Sequence, residues 1–184
     1  GKKVLDSSNA NYSYGSLEKV LDHGLEFTRA ERSSQILILG LGGGSVLGLL
    51  RQKYNFSGKV TAVELDPAVI EIAKREFHIE RHAPLEILCD DAYSYVLNSK
   101  EKFGLIIIDV FIDVEVPPKF FFSEFLENIS ALLEPGGEVL FNAGINHSHE
   151  EETQQIVNSG NSIKFKRLDG VNGTNTLLLG IKFL

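Results

Sequence analysis

Gly40, Gly42, Gly43 and Gly44 fall within five residues, directly after the apolar run Ile36-Leu37-Ile38-Leu39 and directly before a helical pattern. So continuous an apolar run fits a strand buried on both faces, and glycines at its end let a ligand lie against bare backbone. The chemistry this implies is binding of a nucleotide-like cofactor. Carboxylates end the apolar runs that follow: Glu64 closes Lys59 to Glu64, Asp90 and Asp91 come after Leu85 to Cys89, and Asp109 closes Gly104 to Asp109. At the position of Glu64 a carboxylate can accept hydrogen bonds from both hydroxyls of a ribose. Asp109 falls at the mouth of the sheet, where open α/β folds place reacting groups, and can take a proton from an amine or hydroxyl nucleophile.

The loop and Glu64 alone do not name the cofactor, because NAD also presents a ribose diol to such an acid. A dinucleotide fingerprint, however, wants glycine or alanine at position 45, where this chain has Ser45. Asp66 before Pro67 reads as a helix cap, and either Asp90 or Asp91 can cap a helix over Ala92 to Leu97. His147 and His149 stand near Glu150, Glu151 and Glu152, but the spacing is not that of a structural zinc site, and no metal ligand is assigned. No glycine-x-serine-x-glycine nucleophile elbow is present. Phe120-Phe121-Phe122 suits core packing at a helix start, with an apolar substrate pocket as the other reading. Tyr12 and Tyr14 suit aromatic packing, and Cys89, the single cysteine, suits a buried strand end.

The elements that must position these residues alternate. Leu17, Val20, Leu21 and Leu25 have helical spacing within Gly15 to Phe27, ahead of the first long strand, which starts at Gln35. Strands over 59–64, 85–89 and 104–109 follow, with helical or loop patterns between them, as in right-handed βαβ units. Pro117-Pro118 interrupts the chain, a helix is predicted over 123–133, and Glu134-Pro135-Gly136-Gly137 ends it. A fifth strand is predicted over 138–142 and a polar helix over 148–158. The tail reads as strands over 163–168 and 176–183 around Asn172-Gly173, a turn that favours an antiparallel hairpin. The expectation is a mostly parallel α/β sheet closed by that hairpin, with a lead-in segment over 1–30 and one cofactor-binding domain over 31–184.

The composition suits one soluble domain: 184 residues, 43% hydrophobic and 23% charged. A net charge of -7, with lysines and arginines scattered in ones and twos, disfavours nucleic acid as a partner. No apolar stretch spans a bilayer and no signal peptide opens the chain, so no membrane partner and a cytoplasmic location are expected. The chain has no methionine, which suggests that Gly1 is a tag scar or that the chain is a fragment of something longer.

This layout resembles the class I S-adenosylmethionine-dependent methyltransferases. The strings Ile36-Leu-Ile-Leu-Gly40-Leu-Gly-Gly-Gly-Ser-Val-Leu, Val63-Glu64-Leu-Asp66-Pro and Ile106-Ile-Ile-Asp109 are most similar to its spermidine synthase branch. The resemblance implies a Rossmann-like three-layer αβα sandwich around a seven-stranded sheet, and S-adenosylmethionine or its decarboxylated form as cofactor. It further implies cofactor contacts from Gly40, Gly42, Gly43, Gly44, Glu64, Leu65, Asp90, Asp91, Ala92 and Asp109. Asp91 would receive the adenine amino group near the Ala92 backbone, Leu65 and Ile87 would wall the ring, and Asp109 would be catalytic. A small-molecule substrate and a homodimer are the partners expected.

The chain departs from the aminopropyltransferase pattern in three places. Gly43 replaces an aspartate, the second aspartate after Asp109 falls late at Asp113 with no proline after it, and Val110 and Phe111 replace small residues. Methyl transfer to a small nucleophile therefore ranks first from sequence, and aminopropyl transfer second, supported by Asp109, Asp113 and Glu115 as attractors of a polycation. A non-catalytic cofactor-binding module ranks third, on the scarcity of β-structure ahead of the first helix.

Overall fold

The computed structural model describes residues 5–6, 11–13, 16–160 and 162–183, so Tyr14 lies outside the described residues. Two short strands, β1 (Leu5–Asp6) and β2 (Asn11–Ser13), pair antiparallel ahead of helix α1 (Ser16–Leu25). Strands this short carry too few alternating positions to show in the residue pattern.

The chain then alternates as the apolar runs predict: β3 (Gln35–Leu39), α2 (Ser45–Gln52), β4 (Lys59–Glu64), α3 (Pro67–Phe77), β5 (Leu85–Cys89), α4 (Ala92–Asn98) and β6 (Phe103–Ile108). After α5 (Ser123–Leu132) come β7 (Leu133–Ile145), α6 (Glu150–Asn158) and the antiparallel pair β8 (Ile163–Val171) and β9 (Asn175–Lys182). The seven strands from β3 onward lie in the order β5-β4-β3-β6-β7-β9-β8. All neighbours from β5 to β7 are parallel, and β7 to β8 are antiparallel. The result is the mostly parallel, hairpin-closed αβα sheet that the sequence predicts.

Alternation along the strands supplies two cores. Ile36, Ile38, Val60, Ala62, Leu105 and Ile107 pack with α1, α2 and α3 on one face. Leu37, Leu39, Val63, Ile106 and Ile108 pack with α4, α5 and α6 on the other. Strands buried on both faces need apolar residues at every position, which is why β3 and β6 read as unbroken runs.

The extents of β7 and β8 and the exposure of Cys89 differ from expectation, β8 running to Val171 rather than 168. β7 is longer than 138–142 because Leu133 already pairs with Phe103; the ladder then skips to Leu105 and Glu138, leaving the Pro135-Gly136-Gly137 turn between. Cys89 is exposed rather than buried, because β5 is an edge strand and Cys89 is its last residue.

The strand order fixes where a ligand can sit. From β3 the chain steps outward to β4 and β5, then returns to place β6 on the other side of β3. That reversal opens a crevice beyond the carboxyl ends of β3 and β6, the usual ligand position in open α/β sheets.

Candidate active site

Gly40 leaves β3 with its amide donating to the Val63 carbonyl at 2.9 Å, and the Asp109 amide donates to the Leu39 carbonyl at 2.9 Å. The strand ends are thus laced together before the chain turns away. Gly40 has φ +88°, and a β-carbon there would lie 2.2 Å from the Asp109 carbonyl oxygen. Only glycine fits this contact.

Beyond these strand ends lies a cleft of about 390 Å3. It gathers Gly40, Gly42, Glu64, Leu65, Asp91, Ala92 and Asp109 from the sequence-derived set. Gly43, Gly44 and Asp90 are not among its lining residues. Gly44 instead makes room for packing below the loop, since at φ +75° it precedes α2 and a β-carbon there would meet Ile79 at 2.6 Å. Asp90 is exposed, its Oδ1 accepting the Asp91 amide at 2.8 Å.

Glu64 holds the glycine loop in shape. Its Oε2 accepts from the Leu41 and Gly42 amides at 3.1 Å each, and its Oε1 from the Asp66 amide at 3.1 Å. A carboxylate offers about four lone-pair sites, so with three filled by backbone amides about one remains, on Oε1. Leu65 beside it is 61% exposed, an apolar wall open to a ring. Ile87, the other expected wall, packs instead against the core on the α1–α3 face.

Asp91 caps α4, its Oδ1 accepting from the Ser94 amide at 2.9 Å, while its Oδ2 accepts from Lys119 Nζ at 2.9 Å. Burial pushes the Asp91 carboxyl up, but the Lys119 ammonium and the Ser94 amide outweigh it and hold the group below its ordinary value. Both oxygens are therefore engaged. Lys119 lies in the turn before α5 and also sits over the Tyr93 and Phe120 rings.

Asp109 is partly buried just past β6, and desolvation pushes its carboxyl from 3.8 up to about 6; a hydrogen bond from Asn142 opposes the rise and the nearby Glu64 charge adds to it. At neutral pH the group is largely ionised and poorly solvated, a state suited to accepting a proton. The segment after it folds over the cleft as a tight turn in which Ile112 and Glu115 exchange backbone hydrogen bonds. Asp113, at φ +55°, lines the cleft; Glu115 does not. Val110 and Phe111 line it beside Asp109.

Phe120 both lines the cleft and packs edge-on against Phe125, Phe121 is core, and Phe122 is exposed. His149 stacks on Phe121 and His147 lies 3.4 Å from Glu150, so neither histidine reaches the cleft lining.

Sequence reasoning missed Lys119, Asn142, Thr174 and Asn175, all of which line the cleft. Asn142 had a readable signal, a lone amide within Val139-Leu140-Phe141-Asn142-Ala143. Asn175 and Lys119 had none, since only the fold brings β9 and the pre-α5 turn to this site. Among the described residues the lining carries four carboxylates, from Glu64, Asp91, Asp109 and Asp113, against one ammonium, that of Lys119, which Asp91 already engages. The field at the cleft is acidic.

The sheet order, the glycine loop at the switch point and the strand-end acid define the class I S-adenosylmethionine-dependent methyltransferase superfamily, in its spermidine-synthase-like branch. Residues 17–171 match the spermine/spermidine synthase domain, and the chain belongs to that family. It is 31% identical over 132 residues to a polyamine aminopropyltransferase of Vibrio vulnificus, covering 68% of this chain and 44% of that one. It is 22% identical over 175 residues to an eEF1A lysine and N-terminal methyltransferase homolog of Drosophila melanogaster, covering 79% of this chain and 26% of that one. The chain thus spans less than half the length of these curated relatives. Human methyltransferase-like protein 13, solved in complex with S-adenosylhomocysteine, superposes with TM-score 0.68 at 18% identity, over 93% of this chain and 83% of that one.

Among the described residues no helix is long and apolar enough to cross a membrane.

Proposed function

We propose that this chain transfers an alkyl group from the sulfonium of an S-adenosylmethionine-type donor to an amine nitrogen, the group being the aminopropyl arm of the decarboxylated donor. The observation that carries the reading is the excess of carboxylates among the described residues that line the cleft, where the one lysine among them is already paired. A donor with a free carboxylate would meet repulsion there. The decarboxylated donor, carrying a sulfonium and an ammonium, is attracted, as is a polyamine acceptor.

The residues suit such a donor. Gly40 and Gly42 line the cleft without side chains, Glu64 keeps one acceptor site, and Leu65 supplies an apolar face. The donor supplies an electrophilic carbon beside sulfur: the amine lone pair forms the new C–N bond, the C–S bond breaks, and its electrons leave on a neutral thioether. Asp109 receives the proton that the nitrogen sheds. Val110 and Phe111 place apolar surface beside Asp109, whose desolvation keeps its carboxylate basic. The curated relatives lend weight to an amine acceptor: one is named for polyamines, the other for lysine and N-terminal methylation.

Methyl transfer, which the sequence ranks first, is kept as the second reading on a specific observation. Val110 and Phe111 line the cleft next to Asp109, where the aminopropyltransferase pattern has small residues, and Gly43 lacks that pattern's acid.

Calorimetry with the two donors tests the charge argument. Tighter binding of decarboxylated S-adenosylmethionine is expected, by about tenfold for one unfavourable charge contact of roughly 1.4 kcal/mol. Tighter binding of the carboxylated donor would favour methyl transfer.

A further inference from the structure

Two buried amide side chains, Asn175 at the start of β9 and Asn142 in β7, lead from the exposed Thr174 in the preceding turn to Asp109. Thr174 Oγ1 donates to Asn175 Oδ1 at 3.1 Å, Asn175 Nδ2 donates to Asn142 Oδ1 at 3.1 Å, and Asn142 Nδ2 donates to Asp109 Oδ1 at 3.0 Å. Asn142 is 0% exposed and Asn175 8%. An amide pair in such a place is costly unless it is fully bonded, and an apolar pair of similar shape would hold the sheet as well. The direction of the chain is dictated by its end. A carboxylate only accepts, so Asn142 must turn its NH2 toward Asp109, and its carbonyl then takes the NH2 of Asn175.

We propose that Asn142 and Asn175 are positioning residues that act through Asp109, fixing Oδ1 and leaving Oδ2 to receive the proton of the acceptor. Among the described residues Oδ2 accepts no hydrogen bond. This assignment rests on Asp109 being the proton acceptor of the transfer proposed above.

The hydrogen bond favours the ionised carboxyl and so works against desolvation, the largest influence on Asp109. The other charged groups lining the same cleft are Glu64 after β4, Asp91 after β5, and Asp113 and Lys119 beyond β6. Of these, Glu64 acts on Asp109, in the same direction as burial. Asn142 is therefore the group that opposes the rise of the Asp109 carboxyl. Asn175 keeps Asn142 from flipping its carbonyl toward the carboxylate.

The proposal is tested by a carboxyl 13C NMR titration of the whole chain labelled at aspartate, with Asp109→Asn used to assign the Asp109 signal. Asn142→Ala is expected to raise the Asp109 midpoint by about one pH unit. Asn175→Ala should raise it by a smaller amount, and being nearer the rim of the cleft it serves if Asn142→Ala does not fold. Midpoints unchanged in folded variants overturn the proposal. In transfer assays the acid limb of kcat/KM should move upward with the titration while the donor KM stays fixed. If the NMR midpoints move but neither wild type nor variant forms product with any donor, the positioning stands and the transfer reading fails.

Discussion

The backbone of Gly40 lies so close to Asp109 that a β-carbon on Gly40 would sit 2.2 Å from the Asp109 carbonyl oxygen. The donor loop and the proposed proton acceptor are thus built on one contact between adjacent parallel strands. Gly40→Ala must relieve both that overlap and an unfavourable φ of +88°. A destabilisation of about 1–3 kcal/mol is expected, together with weaker donor binding in the fraction that folds. Urea unfolding and calorimetry measure the two, and wild-type values for both would show that the strand ends can separate freely.

Asp109 carries a stability penalty that its proposed role explains. Its carboxyl is pushed from 3.8 to about 6 in the folded chain, so the fold favours the protonated form. The corresponding stabilisation is complete below about pH 4 and is lost as the pH rises through 6. Asp109→Asn keeps an acceptor oxygen for Asn142 and removes this dependence. The variant is expected to gain in thermal stability relative to wild type between pH 4 and 7 while losing transfer activity by about 100-fold or more. A variant less stable than wild type at pH 7 would contradict the desolvation argument.

Lys119 occupies Oδ2 of Asp91, one oxygen of the carboxylate to which the family resemblance assigns the adenine amino group. Lys119→Met frees that oxygen and keeps much of the side-chain bulk. Affinity for methylthioadenosine, which carries no charge, should rise by about fivefold, the worth of one hydrogen bond to a charged group offset by some lost packing. Unchanged or weaker binding would mean that Asp91 serves as helix cap and lysine partner only.

Arg51 illustrates a charged residue with a purely structural role. Its guanidinium donates to the carbonyls of Phe56, Gly58, His82 and Pro84, tying the end of α2 to the turns flanking β4 and β5. Arg51→Ala should cost about 2–3 kcal/mol in urea unfolding and leave donor affinity of the folded chain unchanged. A fall in donor affinity would link this staple to the glycine loop.

Much of the fold was readable in the chain. β4 and β5 fall where their apolar runs do, and Asp66 accepts the Ala68 amide at 2.7 Å at the start of α3. Local pattern sufficed for β4 because a strand buried along its length reads as an apolar run, and for β5, a partly exposed edge strand, because Pro84 and Asp90 bound its run. The glycine loop and the strand-end acids were legible for the same reason: the switch point follows from element order. What escaped was long-range. Asn175 reaches Asn142 from 33 residues away, and Lys119 reaches Asp91 from 28 away. Cys89 misled because its run looks like a central strand, while the topology puts it on an edge.

The acidic cleft around Asp109 bears most directly on which group is transferred. Incubation of the chain with equal S-adenosylmethionine and decarboxylated S-adenosylmethionine, in the presence of putrescine and spermidine, can be read by mass spectrometry. Methylthioadenosine together with an aminopropylated amine is the predicted outcome, with formation falling as the pH drops below about 6. S-adenosylhomocysteine with a methylated amine, and no methylthioadenosine, would contradict it.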